Sequence, residues 1–241
     1  MKNWSPVLLT LLITCSLSPS ISLAQTSSAI VSSPKADTDL EKRAIELINA
    51  FKRKDYAQAH IFLTEPLRDY WTVEQLGKFW EKRILPEEGD VVRIIAKKQE
   101  NIVNGYIVIL RIQFTKGINT ISITFNKQGE VVGYNFPQNK DIEEVAKLFV
   151  QDLFTNKLDS ARGYLHPYLK IEIFPAKIKS KTESVVASMG AFQKVSSVDV
   201  VPLNANQDLA IVKTKFQKAE RDIYVTFDKQ KNIVGVDSTQ N

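Results

Sequence analysis

The chain has 241 residues, of which 44% are hydrophobic, a formal net charge of +5 and a single cysteine. This hydrophobic content excludes an intrinsically disordered chain, and one cysteine excludes a disulfide-stabilised scaffold. Because the charge is small and the two signs are interleaved, we expect no nucleic-acid partner.

Residues 1–24 have the pattern of a secretory signal peptide. A positively charged start precedes an apolar run at 7–17, which is too short to span a bilayer, and small residues precede Gln25. We expect cleavage after Ala24, a secreted or periplasmic location, and no transmembrane span in the mature chain.

An alternative for the same segment is a lipoprotein signal. Residues 12–15 resemble a lipobox, in which Cys15, the only cysteine of the chain, would carry the lipid anchor.

The rest of the chain is predicted to form a linker and two repeats. Residues 25–38 are rich in Ser, Ala and Thr without a hydrophobic period, which predicts a disordered linker. The first repeat is expected at 39–138 and the second at 139–241. Each repeat carries a net charge of only +2.

Three helices are predicted at the start of the first repeat. Asp39 is positioned to cap the first, and residues 56–63 form the second. Thr72 and Gln75 have the spacing of a capping box that opens the third helix, and Pro86 is expected to end it.

Four strands follow, beginning near Val91. Residues 106–114 alternate between apolar and mixed positions with period two, which predicts a strand with one face in the core. The pattern recurs 102 residues later and indicates an internal duplication. Matching residues include Phe114 and Phe216, Phe125 and Phe227, and Gly133 and Gly235.

Four segments of the first repeat, at 44–52, 55–59, 72–76 and 125–129, resemble a family of uncharacterised secreted bacterial domains. That family is similar in fold to the nuclear-transport-factor-2-like, or cystatin-like, superfamily. The resemblance implies an α+β fold in which two tandem repeats each pack three helices on a curved four-stranded antiparallel sheet. It implies no catalytic residues and no cofactor, because this fold hosts both enzymes and binding modules.

Aromatic side chains are concentrated in the first repeat, and their counterparts in the second repeat are not aromatic. They are Tyr70, Trp71, Phe79, Trp80 and Tyr106. One interpretation is a larger first core. The other is an apolar ligand pocket in the first repeat.

Three basic residues occupy outward positions on the predicted second strand of each repeat, namely Arg111, Lys213 and Lys215. They form either a solvated sheet face or a weak anion-binding surface. The second interpretation predicts an envelope protein or an anionic envelope polymer as the partner.

Little in the sequence indicates catalysis. There is no nucleophile motif, and His60 and His166 are isolated, so we expect no metal site. The favoured hypothesis is a non-catalytic secreted or periplasmic binding or scaffolding protein of unknown ligand. The alternative is a small-molecule enzyme of the ketosteroid-isomerase or cyclase-like kind, with one buried carboxylate in the first repeat, for which Asp69 and Glu74 are the candidates.

Overall fold

The computed structural model describes residues 36–136 and 139–238. The predicted signal peptide (1–24), the alternative anchor residue Cys15 and most of the predicted linker (25–38) lie outside the described residues. Within the described segments, no helix combines the length and the apolar character needed to cross a membrane.

Two α+β domains follow one another. The first consists of α1 (Ala36–Lys52), α2 (Tyr56–Ile61), α3 (Glu65–Arg68), α4 (Val73–Phe79), α5 (Leu85–Glu88), β1 (Val91–Ile102), β2 (Gly105–Phe114), β3 (Ile118–Asn126) and β4 (Val131–Asn135). The second consists of α6 (Ile142–Phe154), α7 (Leu158–Gly163), a 3-10 helix (Pro167–Ile171), α8 (Pro175–Met189), β5 (Phe192–Asn204), β6 (Gln207–Phe216), β7 (Glu220–Asp228) and β8 (Ile233–Ser238). The sheets are antiparallel, with strand orders β1-β2-β3-β4 and β5-β6-β7-β8. The predicted tandem α+β fold is confirmed.

Helix α1 packs one face against the first sheet. The predicted apolar positions are all buried: Leu40, Ala44, Leu47, Ile48 and Phe51. The helix begins at Ala36, four residues before Leu40, which a cap at Asp39 would make the first helical residue. Asp39 therefore lies inside the first turn and does not cap the helix, although its charge still favours the amino-terminal end of the helix dipole.

The third predicted helix runs further than expected. The capping box formed by Thr72 and Gln75 is present. Pro86 does not end the helix, because a π-helical turn at Trp80–Ile84 precedes it and widens the backbone spacing before a last helical turn. The helix ends instead at Gly89, whose φ of 82° few other residues adopt.

The two sheets resemble each other in the register of their strand pairs as well as in sequence. Both carry an irregularity at the same point of the third strand, between Thr124 and Phe125 and between Thr226 and Phe227. Isolated bridges at equivalent positions join Leu63 to Val131 and Leu165 to Ile233. Each domain has its own main hydrophobic core, and the second domain has a smaller separate cluster formed by Val185, Met189 and Phe216.

Candidate ligand site between the two domains

The second domain packs on the outer face of the first sheet. Its 3-10 helix contacts β2, β3 and β4, so Ile107, which points away from the first core, is still only 5% exposed. Thr124 Oγ1 donates a hydrogen bond to the Pro167 carbonyl at 3.3 Å. Asn135 Nδ2 donates to the Leu165 carbonyl at 2.8 Å. The two domains therefore share a hydrogen-bonded interface.

Lys170 is the most buried cation of this interface, at 1% exposure. Its Nζ donates to the carbonyls of Tyr134 at 2.8 Å and Gly163 at 3.2 Å, and to Asn135 Oδ1 at 2.8 Å. The alkyl chain crosses Gly133, where an added Cβ would lie 2.7 Å from the lysine Cδ. Burial lowers the pKa of Lys170 well below its ordinary value.

Arg162, on α7, is a second buried cation, at 5% exposure. Its Nε donates to the Ile173 carbonyl and its Nη2 to the Lys170 carbonyl, each at 2.6 Å. Nη2 also donates across the interface to the Val132 carbonyl. Burial lowers the pKa of Arg162 to about 10, so the guanidinium stays charged at neutral pH.

Asp159, one turn before Arg162, is largely buried beside it. Burial raises the pKa of Asp159 to about 6, against the opposing effects of the Arg162 charge and of a hydrogen bond from the Trp71 side chain. Among the described residues, neither Asp159 Oδ1 nor the buried hydroxyl of Tyr134 has a hydrogen-bond partner. Burial also raises the pKa of Tyr134, so its hydroxyl is neutral and free to donate.

These groups surround a cavity of about 240 Å³ at the edge of β4. Its lining comprises Leu63, Leu67, Trp71, Phe79, Arg83, Gly133, Tyr134, Phe136, Asp159, Ser160, Arg162, Gly163 and Lys170. One wall is aromatic: the ring of Phe79 lies 5.3 Å from Trp71, 5.7 Å from Tyr134 and 5.6 Å from Phe136, centroid to centroid. The other wall is polar and consists of two arginines, Lys170 and one carboxyl.

The structure brings together two of the five aromatic residues predicted to form a pocket. Trp71 and Phe79 line the interdomain cavity. Trp80 is fully buried in the first core, and Tyr106 packs against that core. Tyr70 packs against the core of the second domain.

The three basic residues predicted to form an anion-binding surface lie on two different sheets. Arg111 is exposed on β2, and Lys213 and Lys215 are exposed on β6. Lys213 approaches Asp199 at 3.5 Å. Their role as an anion-binding surface stays a prediction.

The two candidate carboxylates of the enzyme alternative are on the surface. Asp69 is exposed, and Glu74 forms an ion pair with Lys78 at 2.6 Å, which lowers the pKa of Glu74. Neither is the buried acid that the alternative requires, so its assignment to Asp69 and Glu74 was wrong. Within residues 36–136 and 139–238, no group of three or more metal-ligating side chains is found.

The polar wall of the cavity was not predicted from the sequence. One available signal is the position of Arg162 on α7. It falls on the apolar stripe of Leu158, Ala161 and Leu165, where a charged residue would be buried. Its partners Val132 and Tyr134 come from the other domain, so their proximity depends on interdomain packing that no local pattern encodes.

Comparisons with known proteins give a family but no curated relative. The sequence profile of a family described as protein of unknown function (DUF3887) matches residues 44–134 and again 146–236, an offset of 102. No curated protein sequence matches the chain. A solved structure described as an Ntf2 like protein involved in plasmid conjugation is similar at 14% identity. The match covers 84% of this chain and 99% of that one with a TM-score of 0.27, which is too low to support an argument.

The two matches cover most of the chain and coincide with the two duplicated domains, so the predicted tandem of uncharacterised domains is confirmed. The chain belongs to the DUF3887 family of unknown function and carries its domain twice.

Proposed function

We propose that the protein is a non-catalytic binding protein whose ligand is a small carboxylic acid with an aromatic or compact apolar body, held in the interdomain cavity. The signal-peptide pattern of residues 1–24 supports action outside the cytoplasm, in a secreted or periplasmic setting.

The observation that carries the proposal is a pair of buried, unpartnered polar atoms on two residues of the cavity lining, Tyr134 Oη and Asp159 Oδ1. A buried polar atom without a partner costs about 1–3 kcal/mol, so such atoms usually indicate a missing ligand or water. A carboxylate could accept a hydrogen bond from the tyrosine hydroxyl, and a second from Asp159 when that residue is protonated.

The charge balance favours an anion. Arg83 and Arg162 line the cavity beside a single carboxyl, that of Asp159, and Lys170, whose pKa is lowered by burial, adds positive charge only when it is protonated. Without Lys170, the net charge of the other three side chains is +1 when Asp159 is ionised and +2 when it is protonated. The aromatic wall formed by Trp71 and Phe79 offers a flat apolar surface to the body of the ligand.

The proposal is tested by calorimetric titration of the protein with benzoate, with benzyl alcohol as the uncharged comparison. We expect benzoate to bind and benzyl alcohol to bind at least tenfold more weakly. Tyr134→Phe removes only the unpartnered hydroxyl, so we expect it to weaken benzoate about tenfold while leaving the fold intact. Tyr224→Phe, outside the cavity, is the matched control. Equal affinities for the acid and the alcohol would contradict the proposal.

A proton-transfer enzyme is the second candidate, and the pKa of Asp159 near 6 favours it, because a general base works best close to ambient pH. The two candidates differ in a simple assay, the incorporation of deuterium into phenylacetone in D₂O. A binding protein gives no exchange above that of the Asp159→Asn variant. Exchange that depends on Asp159 would replace the binding proposal with an enzyme.

A further inference from the structure

The second domain contains an apolar cavity of its own, separate from the interdomain site. It lies between helices α6 and α8 and strands β7 and β8, and its volume is about 120 Å³. The inner lining is almost entirely carbon, with Phe149, Leu153, Ile173, Val185, Ile223 and Val236 among its residues.

The duplication explains why this cavity exists. In the first domain Trp80 fills the corresponding position, at 1% exposure and stacked on Phe51 with a centroid distance of 4.6 Å. The residue 102 positions later is Thr182, whose hydroxyl is turned back to the carbonyls of its own helix. Phe51 likewise corresponds to Leu153. The second domain has Thr and Leu where the first has Trp and Phe, and these smaller side chains leave space between α6 and α8.

The volume of the cavity limits the size of the ligand that it can hold. An engineered apolar cavity of about 150 Å³ stays dry and binds benzene, so a volume of about 120 Å³ suits an apolar group of about five or six carbons. Because the lining offers almost no polar partner, water gains little there and an alkyl group gains the full benefit of burial.

The rim of the cavity is basic. Lys177 and Lys181 lie one turn apart on α8, and Arg221 faces them from β7, whereas Asp237 is the single carboxylate of the lining. None of the three cations forms an ion pair with another described residue. Ser238 also belongs to the lining, and its buried Oγ has no hydrogen-bond partner among the residues described. An acidic group at the mouth would meet the three cations.

We infer that the second domain binds a short- to medium-chain aliphatic carboxylate, with the alkyl chain in the apolar cavity and the carboxylate at Lys177, Lys181 and Arg221. A free fatty acid presents this chemistry, and an anionic phospholipid presents a related one, in which the headgroup phosphate takes the place of the carboxylate at the rim. This site is independent of the interdomain site, so either can fail without the other.

Calorimetric titration with butanoate, pentanoate and hexanoate tests the inference on the full protein. We expect each added methylene to tighten binding about fourfold until the cavity is filled. Hexanoate is expected to bind at least tenfold more tightly than hexanol, because only the acid engages the rim. Lys181→Glu should remove most of that preference and leave hexanol unchanged. Titration with vesicles that contain phosphatidylglycerol distinguishes the two sources of ligand, because binding to the vesicles indicates a lipid and binding to hexanoate alone indicates a free acid.

Thr182→Trp is the decisive variant, because it places in the second domain the tryptophan that fills the equivalent space of the first domain. We expect it to weaken hexanoate at least thirtyfold, while Ala187→Trp, at an exposed position of the same helix, leaves it unchanged. Benzoate binding at the interdomain site should be the same in both variants.

A measurement on the unmodified protein keeps the test valid even if Thr182→Trp folds poorly. Nuclear Overhauser contacts are expected between the terminal methyl of hexanoate and the methyl groups of Val185 and Ile223. Saturable hexanoate binding without these contacts, no saturable binding at all, or unchanged affinity in a folded Thr182→Trp variant would overturn the inference.

Discussion

The buried carboxyl of Asp159 makes the stability of the protein depend on pH in an unusual direction. Burial raises its pKa in the folded protein from an ordinary value of 3.8 to about 6. Between these two values the folded protein binds more protons than the unfolded chain, so stability falls as pH rises through this window. A rise of this size corresponds to about 3 kcal/mol, all of which is lost above pH 6.

Asp159→Asn tests this reasoning, because the amide is nearly the same shape and keeps an acceptor for Trp71 but has no proton to lose. Near pH 3.5, where the wild-type carboxyl is mostly protonated in both states, we expect the two proteins to be about equally stable. At pH 7.5 we expect the variant to be more stable by up to about 3 kcal/mol, since it avoids burying the charge.

Urea denaturation of both proteins at several pH values between 3.5 and 7.5 measures the difference. Asp69→Asn, which changes an exposed carboxyl, serves as the control and should alter the free energy of unfolding by less than about 0.5 kcal/mol. A constant difference between Asp159→Asn and wild type across the pH range would refute the reasoning. So would a variant that is less stable at pH 7.5, because the carboxylate would then be stabilised by its neighbours.

Three further predictions concern the packing and the ligand sites. Gly133→Ala places a Cβ 2.7 Å from Lys170 and should cost about 1–3 kcal/mol in thermal denaturation. Gly235→Ala, the equivalent change with its nearest neighbour at 3.6 Å, should cost less than about 0.5 kcal/mol, and equal costs would contradict the interdomain packing. Trp80→Thr should cost about 3–5 kcal/mol by denaturation and create a first-domain cavity, and a neutral effect would count against Trp80 as the filling residue. Benzoate affinity should fall about thirtyfold between pH 5.0 and 7.5, as Asp159 loses its proton, and should stay constant over that range in Asp159→Asn.

Local patterns predicted much of the fold. Period-two alternation placed Val108, Leu110 and Ile112 in the core, and the spacing of Thr72 and Gln75 located a helix start. The patterns failed where the backbone departs from regular geometry, as in the π-helical turn before Pro86. They also could not show that the 3-10 helix of one repeat covers the sheet of the other.

The cavities were harder to predict than the fold. The first repeat has more aromatic residues than the second, and the structure places these residues in two different environments. Trp71 and Phe79 form one wall of the interdomain cavity, whereas Trp80 fills the first core and its counterpart Thr182 leaves a cavity in the second. A local excess of aromatic residues therefore does not distinguish a filled core from a pocket, because the outcome depends on where each ring packs in the folded structure.

The most direct test of the central proposal is a crystal structure of the protein soaked with 4-bromobenzoate, located by the anomalous signal of bromine. The proposal predicts a bromine peak against the ring wall of Trp71 and Phe79, with the carboxylate within hydrogen-bond distance of Tyr134 Oη. Ordered water alone in the interdomain cavity, at millimolar ligand, would contradict it.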